Sequence, residues 1–213
     1  MFRNRKDAGQ QLAGALENYR GTGALVLAVP RGGVEIGYEV ASALGLDLSV
    51  IITRKLPFPE QPEAGFGALA EDGSSYVNEE AVRWMETSAV KRVTEQQKEE
   101  IARRIQLYRG GQPLPSVSGR HVILVDDGIA MGSTVNASIL LLKNRNAKKI
   151  TVASPVAGPE IAGNLEKAAD EVVVLEKPPA FRAVAQVYEN WYDVPDHEVL
   201  EILDKWKKRG SST

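Results

Sequence analysis

The stretch His121-Val122-Ile123-Leu124-Val125-Asp126-Asp127-Gly128-Ile129-Ala130-Met131-Gly132-Ser133-Thr134 restricts the fold of this chain more than any other. Val122 to Val125 is an unbroken apolar run rich in β-branched residues, the pattern of a strand buried on both faces of a parallel sheet. Two carboxylates, Asp126 and Asp127, come where that strand ends. Gly128 and Gly132 permit a tight turn, after which Val135, Ile139, Leu140 and Leu142 make one face of a helix. Gly132-Ser133-Thr134 therefore falls at the first turn of that helix, where unpaired N–H groups and the helix dipole favour an anion. One end of the loop suits hydroxyls or a metal ion, and the other suits a phosphate. The plainer alternative is a buried strand whose acidic pair caps a helix.

A similar design occurs upstream. Ala24 to Val29 reads as a strand, Pro30-Arg31-Gly32-Gly33 as the turn after it, and about Val34 to Leu44 as a helix. Glycine lets backbone approach a ligand closely, and the Arg31 guanidinium offers a rigid fork of donors suited to phosphate oxygens. An ordinary turn with an exposed arginine is the competing reading. Leu48 to Thr53 is predicted as the second parallel strand, with Arg54 and Lys55 at its end, facing the crevice where open α/β sheets bind ligands. Lys149 to Ala153 and Glu171 to Leu175, separated by a helix from about Pro159 to Ala168, complete a mainly parallel five-stranded sheet flanked by helices. Ser154-Pro155-Val156-Ala157 follows the fourth strand and faces the same crevice.

The segments between these units are less specific. Asn4 is placed to cap a first helix, with Asp7 in its opening turn and Ala8, Leu12, Leu16 and Tyr19 at helical spacing until Gly21. Phe2 and Arg3 are assigned to core or surface. Pro57-Phe58-Pro59-Glu60-Gln61-Pro62 is expected to be a mobile or extended loop, because its prolines remove donors and fix φ. Gly65 to Ala70 matches Gly-x-Gly-x-x-Ala but lacks the strand before it and the helix after it, so it is rejected as a dinucleotide site. A hairpin turning at Asp72-Gly73, with Ser74 to Val77 returning, fits better. Glu79 to Glu86 looks helical. Val90, Val93, Ile101, Ile105 and Tyr108 mark the apolar stripe of a long charged helix, suited to the domain surface or to a homodimer contact. Phe181, Tyr188, Trp191 and Tyr192 either stack on a planar base or seal the edge of the core. A capped helix follows Pro195-Asp196, and the tail Lys207 to Thr213 reads as frayed.

Composition closes several other routes. The 213 residues suffice for one α/β domain that buries a core without staples. With no cysteine there is neither a disulfide framework nor a thiolate metal site, and His121 and His197 alone do not make a histidine-rich one. A net charge of −2 argues against bulk nucleic-acid or membrane binding. The sequence shows neither a signal peptide nor a membrane span, and the expectation is a cytoplasmic protein. Gly-x-Ser-x-Gly, Gly-Lys-Ser/Thr and His-Glu-x-x-His motifs do not occur.

The unit 121–134 resembles the signature of the type I phosphoribosyltransferases, in which a strand ends in two acidic residues and runs into a phosphate loop. The Arg31-Gly32-Gly33 turn and Lys55 add to the likeness. The resemblance implies a Rossmann-like type I phosphoribosyltransferase fold in one domain spanning 1–213, with a small hood subdomain from about 178–213 and N-terminal contributions. It implies that Asp126 and Asp127 hold the ribose hydroxyls of phosphoribosyl pyrophosphate (PRPP), directly or through Mg²⁺-bound water, as the metal-binding pair. Ala130, Met131, Gly132, Ser133 and Thr134 then cradle the 5′-phosphate, with Gly128 and Ile129 in the same PRPP-binding loop. Arg31, Gly32 and Gly33 become the pyrophosphate loop, with a cis peptide at Pro30–Arg31, and Lys55 and Arg54 partner the pyrophosphate. By the same likeness the catalytic set is Asp126, Asp127, Arg31 and Lys55. A flexible loop closing over the reacting centre is placed between the second and third parallel strands.

The implied activity is Mg²⁺-dependent transfer of the 5-phosphoribosyl group of PRPP to a nitrogenous base, with release of pyrophosphate. Two positions depart from the family's common pattern. Gly128 stands where an aliphatic residue is usual, and Met131 where a small residue, often threonine, adds a hydroxyl. Ala130 stands where 6-oxopurine enzymes carry an aspartate for purine N7, which points away from hypoxanthine and guanine as acceptors. One alternative is a PRPP- or nucleotide-sensing module without turnover. Another, a receiver-like domain, would carry its acidic pair after the first strand instead of the third parallel one.

Overall fold

The computed structural model describes residues 1–210. The elements in chain order are α1 (Arg5–Ala15), β1 (Leu25–Ala28), α2 (Gly33–Leu44), β2 (Asp47–Val50), β3 (Thr53–Phe58), β4 (Gln61–Ala70) and β5 (Ser75–Val77). They continue with α3 (Glu79–Arg83), α4 (Thr87–Arg109), β6 (His121–Val125), α5 (Ser133–Asn144), β7 (Lys149–Val156), α6 (Pro159–Ala168), β8 (Glu171–Glu176) and α7 (Asp196–Gly210). The main sheet has five strands in the order β2-β1-β6-β7-β8, and every pairing in it is parallel.

Alternation along the strands divides the core. Val26, Ala28, Ile123 and Val125 pack with residues of α1, α2 and α7 such as Leu12, Val40 and Val199. Leu25, Leu27, Val122 and Leu124 pack with residues of α5 and α6 such as Ile139 and Leu165. Covering both faces is what makes these strands uninterrupted apolar runs, each buried Leu, Ile or Val contributing about 1.5–3 kcal/mol. The first helix begins as its cap demands: the Asp7 amide donates to Asn4 Oδ1 at 2.9 Å.

Register places the two signature loops side by side. Ala28 pairs with Val125, so residues 30–33 and 126–132 leave the sheet at the same level. The chain runs from β1 outward to β2 and later inserts β6 on the other side of β1, which opens a crevice between those loops.

The region between β2 and β6 departs from expectation. The run predicted as one strand over Leu48 to Thr53 is two: β2 stops at Val50, buried Ile51 and Ile52 cross over, and β3 begins a separate antiparallel sheet β3-β4-β5. No turn residue marks the break, because Ile51 and Ile52 are held by core burial. Arg54 and Lys55 thus lie inside β3, paired with Leu69 and Ala68, and not at the end of a parallel strand. The proline-rich segment is also strand in large part, forming the β3–β4 hairpin. The ladder shifts at Leu56/Pro57 and Pro57/Phe58, and irregular pairing of that kind lets a ribbon carry residues that lack a donor. The turn at Asp72-Gly73 forms as predicted, with the Ala70 amide donating to Ser74 O at 2.8 Å.

Smaller differences follow. Ser154, Pro155 and Val156 continue β7 as buried strand instead of following it. The α4 stripe, with Val93, Ile101 and Tyr108 buried, packs into the domain's own core. α7 runs through Gly210, so residues 207–210 are helical and not frayed, while Ser211 to Thr213 of the expected tail and hood lie outside the described residues. No described helix is long and apolar enough to cross a membrane.

Candidate active site

A cleft of about 260 Å³ opens between the β3–β4 ribbon and the loop after β6. Lys55, Glu63, Gly65 and Gly67 line one side, with Asp126 and residues 128–134 on the other. The loop enters α5 through Gly132, whose φ of 75° suits a residue without a side chain. No side chain caps that helix start, so the first-turn amides beside Ser133 and Thr134 remain available to an anion in the cleft. Met131 is 56% exposed and stands in the cleft wall.

The turn after β1 meets the acidic pair directly. A side chain on Gly33 would lie 2.9 Å from Val125 O and 3.1 Å from the Asp126 α-carbon, and one on Gly32 would collide with the Asp127 carboxylate. Only glycine lets the two loops touch. The Pro30–Arg31 peptide is cis. The Arg31 guanidinium itself reaches toward Asp196 at the start of α7, at 4.0 Å, and does not line the cleft with Lys55.

Adjacent residues of β3 look opposite ways. Lys55 lines the cleft and donates to Glu63 O at 2.7 Å. Arg54 turns to α4, where its Nε donates to Gln97 Oε1 at 3.0 Å. Burial, followed by the charge of neighbouring Arg104, pushes Arg54 below the usual arginine range, and Arg31 and Arg103 add to that repulsion. The basic pair expected at one spot is therefore divided between the cleft beside residues 128–134 and the face against α4.

Burial raises both carboxyls of the acidic pair. Asp126 is pushed well above the usual range, with the neighbouring Asp127 charge adding to burial. Asp127 is also raised by burial, against the opposing pull of Arg5. Arg5 is 3% exposed and donates from Nε to Asp127 Oδ2 at 2.7 Å. It is a residue that sequence reasoning missed, although Arg5, Ala8, Leu12 and Leu16 share one helical stripe and so put a guanidinium on the buried face of α1.

The aromatic group resolves around that guanidinium. Tyr188 is buried in the core, 5.7 Å from the Phe2 ring and 5.3 Å from the Trp191 ring, and its hydroxyl donates to Asp127 O at 2.7 Å. Burial, then the Asp127 charge, holds that hydroxyl above its ordinary range. Trp191 and Tyr192 border Arg5, while Phe181 is half-buried near Gly158. Val184, also missed, explains one departure from the family pattern. A side chain on Gly128 would come within 2.4 Å of Val184 Cγ1, so valine from the later segment fills the space that an aliphatic residue would need.

Residues 3–190 match the model of the phosphoribosyl transferase domain. The chain belongs to that family. Its relatives include the Mycobacterium tuberculosis proteins named "Putative phosphoribosyl transferase MT0597" and "Putative phosphoribosyl transferase Rv0571c", each 39% identical over 96% of this chain. The match spans 47% of those relatives, so the chain covers about half their length. The crystal structure of TT1426 from Thermus thermophilus superposes with a TM-score of 0.80 at 37% identity, covering 97% of this chain and 99% of that one. A purine phosphoribosyltransferase from Pyrococcus horikoshii shares the fold at 18% identity and a TM-score of 0.50, over 88% of this chain and 89% of its own. The phosphoribosyl transferase fold expected from the signature is thus present, with a parallel five-stranded sheet at its centre.

Proposed function

We propose that this domain transfers the 5-phosphoribosyl group of PRPP to a nitrogenous base and releases pyrophosphate. The observation that carries this reading is the contact of Gly32 and Gly33 with Asp127 and Asp126, which joins the turn after β1 to the acid loop at one crevice. One sugar with phosphates at both ends would span the site. Its 5′-phosphate would lie on the amides and hydroxyls of 130–134, its hydroxyls at the acidic pair, and its pyrophosphate toward Arg31, Gly32 and Gly33. Lys55 would supply positive charge from the ribbon side, with Arg54 beside Arg31. A hood drawn from 178–213 and the N-terminus would cover the acceptor, and the activity belongs in the cytoplasm.

In this reaction the C1–O bond to pyrophosphate breaks as the acceptor nitrogen bonds to C1, and the acceptor's proton passes to solvent. The transition state resembles an oxocarbenium ion, so placed charges matter more than a nucleophile. The acidic pair orients the ribose and favours the positive charge on it, with Asp126 on the cleft and Asp127 behind it. The β3–β4 ribbon, standing where the family has its closing loop, excludes water.

The donor set suits Mg²⁺. Among the described residues no group of three or more His, Cys, Asp or Glu side chains converges, so the chain offers no complete cage. Carboxylates on a phosphate-binding cleft match an ion that takes one or two of them and completes its shell with water and substrate oxygens. The acidic pair would hold Mg²⁺, Asp126 from the cleft wall and Asp127 from behind it, and the ion would supply charge neutralisation at the departing pyrophosphate.

The test is release of pyrophosphate from PRPP and Mg²⁺ with a panel of nucleobases, adenine-type and non-purine bases ranking above hypoxanthine and guanine because Ala130 offers no acid to N7. No release with any base removes the enzyme reading. A sensing module is the second reading, motivated by the Met131 thioether in the cleft wall. Tight PRPP binding by calorimetry with no turnover on that panel would select it.

A further inference from the structure

We infer that Arg5 is a positioning residue that commits Asp127 to the scaffold and leaves Asp126 as the carboxylate that meets the sugar. The inference rests on the phosphoribosyl transfer reading and divides a pair that the signature treats as equals.

Asp127 is held from three directions. Arg5 Nε donates to its Oδ2 at 2.7 Å, Gly32 leaves no gap behind that same oxygen, and Tyr188 Oη donates to its backbone carbonyl at 2.7 Å. The Asp127 side chain is 14% exposed, and the lining of the cleft includes Asp126 but not Asp127.

Arg5 is equally fixed. It donates from Nη1 to Tyr192 O at 3.0 Å and approaches Glu35 Oε1 at 3.7 Å. Its guanidinium carbon lies 4.0 Å from the Trp191 ring centroid and 5.4 Å from that of Tyr192. A buried guanidinium is tolerated when its charge is paired and its donors are used, and stacking on aromatic faces adds to that. Trp191 and Tyr192 therefore pack on Arg5 as part of its surroundings. Arg5 ties α1, the turn after β1 and segment 188–192 to one carboxylate, and so holds the residue whose amide donates to Asp126 Oδ1 at 2.9 Å.

Calorimetry with PRPP and Mg²⁺ on the full chain tests this, using R5K, R5Q, D126N, D127N and the double variant R5Q/D127N. R5Q is expected to weaken PRPP binding about tenfold, with R5K recovering most of the loss. D126N is expected to cost about a hundredfold and D127N clearly less. Because Arg5 acts through Asp127, the double variant should bind no more weakly than D127N alone. Should R5Q fail to fold, R5K and the D126N–D127N comparison still decide. Wild-type affinity in R5Q, additive losses in the double variant, or equal losses in D126N and D127N would each overturn the inference. A wild-type chain that binds no PRPP would overturn the functional reading and this division with it.

Discussion

Gly32 and Asp127 occupy a shared space: a β-carbon added to Gly32 would stand 1.7 Å from Asp127 Oδ2 and 2.8 Å from Arg5 Nε. Neither obstacle is the free end of a flexible chain, since the carboxylate and guanidinium hold each other. Gly32→Ala should therefore cost about 1–3 kcal/mol of stability through overpacking, and should also remove measurable PRPP binding. Urea unfolding and calorimetry on the same preparation check both effects.

Gly128 and Val184 make a compensating pair. Gly128→Val installs the kind of residue usual in the family, yet its β-carbon would meet Val184 Cγ1 at 2.4 Å and Val156 Cγ1 at 3.0 Å. The expected loss is about 1–3 kcal/mol, and Gly128→Val with Val184→Ala should recover part of it because the space is then shared out again. Thermal unfolding of the single and double variants decides.

These two positions also show where sequence reading reached its limit. The strand-loop-helix unit at 121–134 and the turn at 30–33 were legible because burial on both faces and first-turn glycines leave local patterns. The parallel sheet followed from them. What closes over the acid loop did not, since Arg5 and Val184 are far from residues 126–128 in sequence and meet them only through packing. The break after Val50 was hidden for another reason: Ile51 and Ile52 continue the apolar run while the backbone changes sheets. Tertiary burial overrode the local signal there, and it carried Arg54 and Lys55 off the parallel layer.

The separation of those two cations predicts different ligand dependences. Lys55→Ala should weaken both PRPP and ribose 5-phosphate about tenfold, because Lys55 lines the cleft with residues 128–134, the loop proposed to take the 5′-phosphate. Arg54→Gln should weaken PRPP alone, since Arg54 turns to Gln97 of α4, away from that cleft, where it feels the charge of Arg31. Parallel titrations with the two sugars distinguish them, and equal losses in both variants would contradict the assignment.

His121 should give the fold an acid-side weakness near neutrality. Burial, then the charge of Lys149, pushes it below its ordinary value of 6.5, and its Nε2 lies 2.8 Å from Thr151 Oγ1. The unfolded histidine therefore takes its proton at a higher pH than the folded one. Its contribution is complete above about pH 6.5, declines as pH falls below that value, and levels off once the folded ring is protonated too. Melting temperature against pH should show this slope in the wild type and a shallower one in His121→Gln.

The ribbon carrying Lys55 takes its ladder bonds from β4, and β3 takes none from the main sheet, whereas Asp126 follows a strand clasped on both sides by β1 and β7. One wall of the chamber is thus joined to the domain through side chains, with Leu56 and Phe66 sunk in the core and Arg54 bonded to Gln97, while the other is woven into the sheet along both edges. An exchange of side chains under the ribbon would therefore shift Lys55 and leave Asp126 where the backbone puts it.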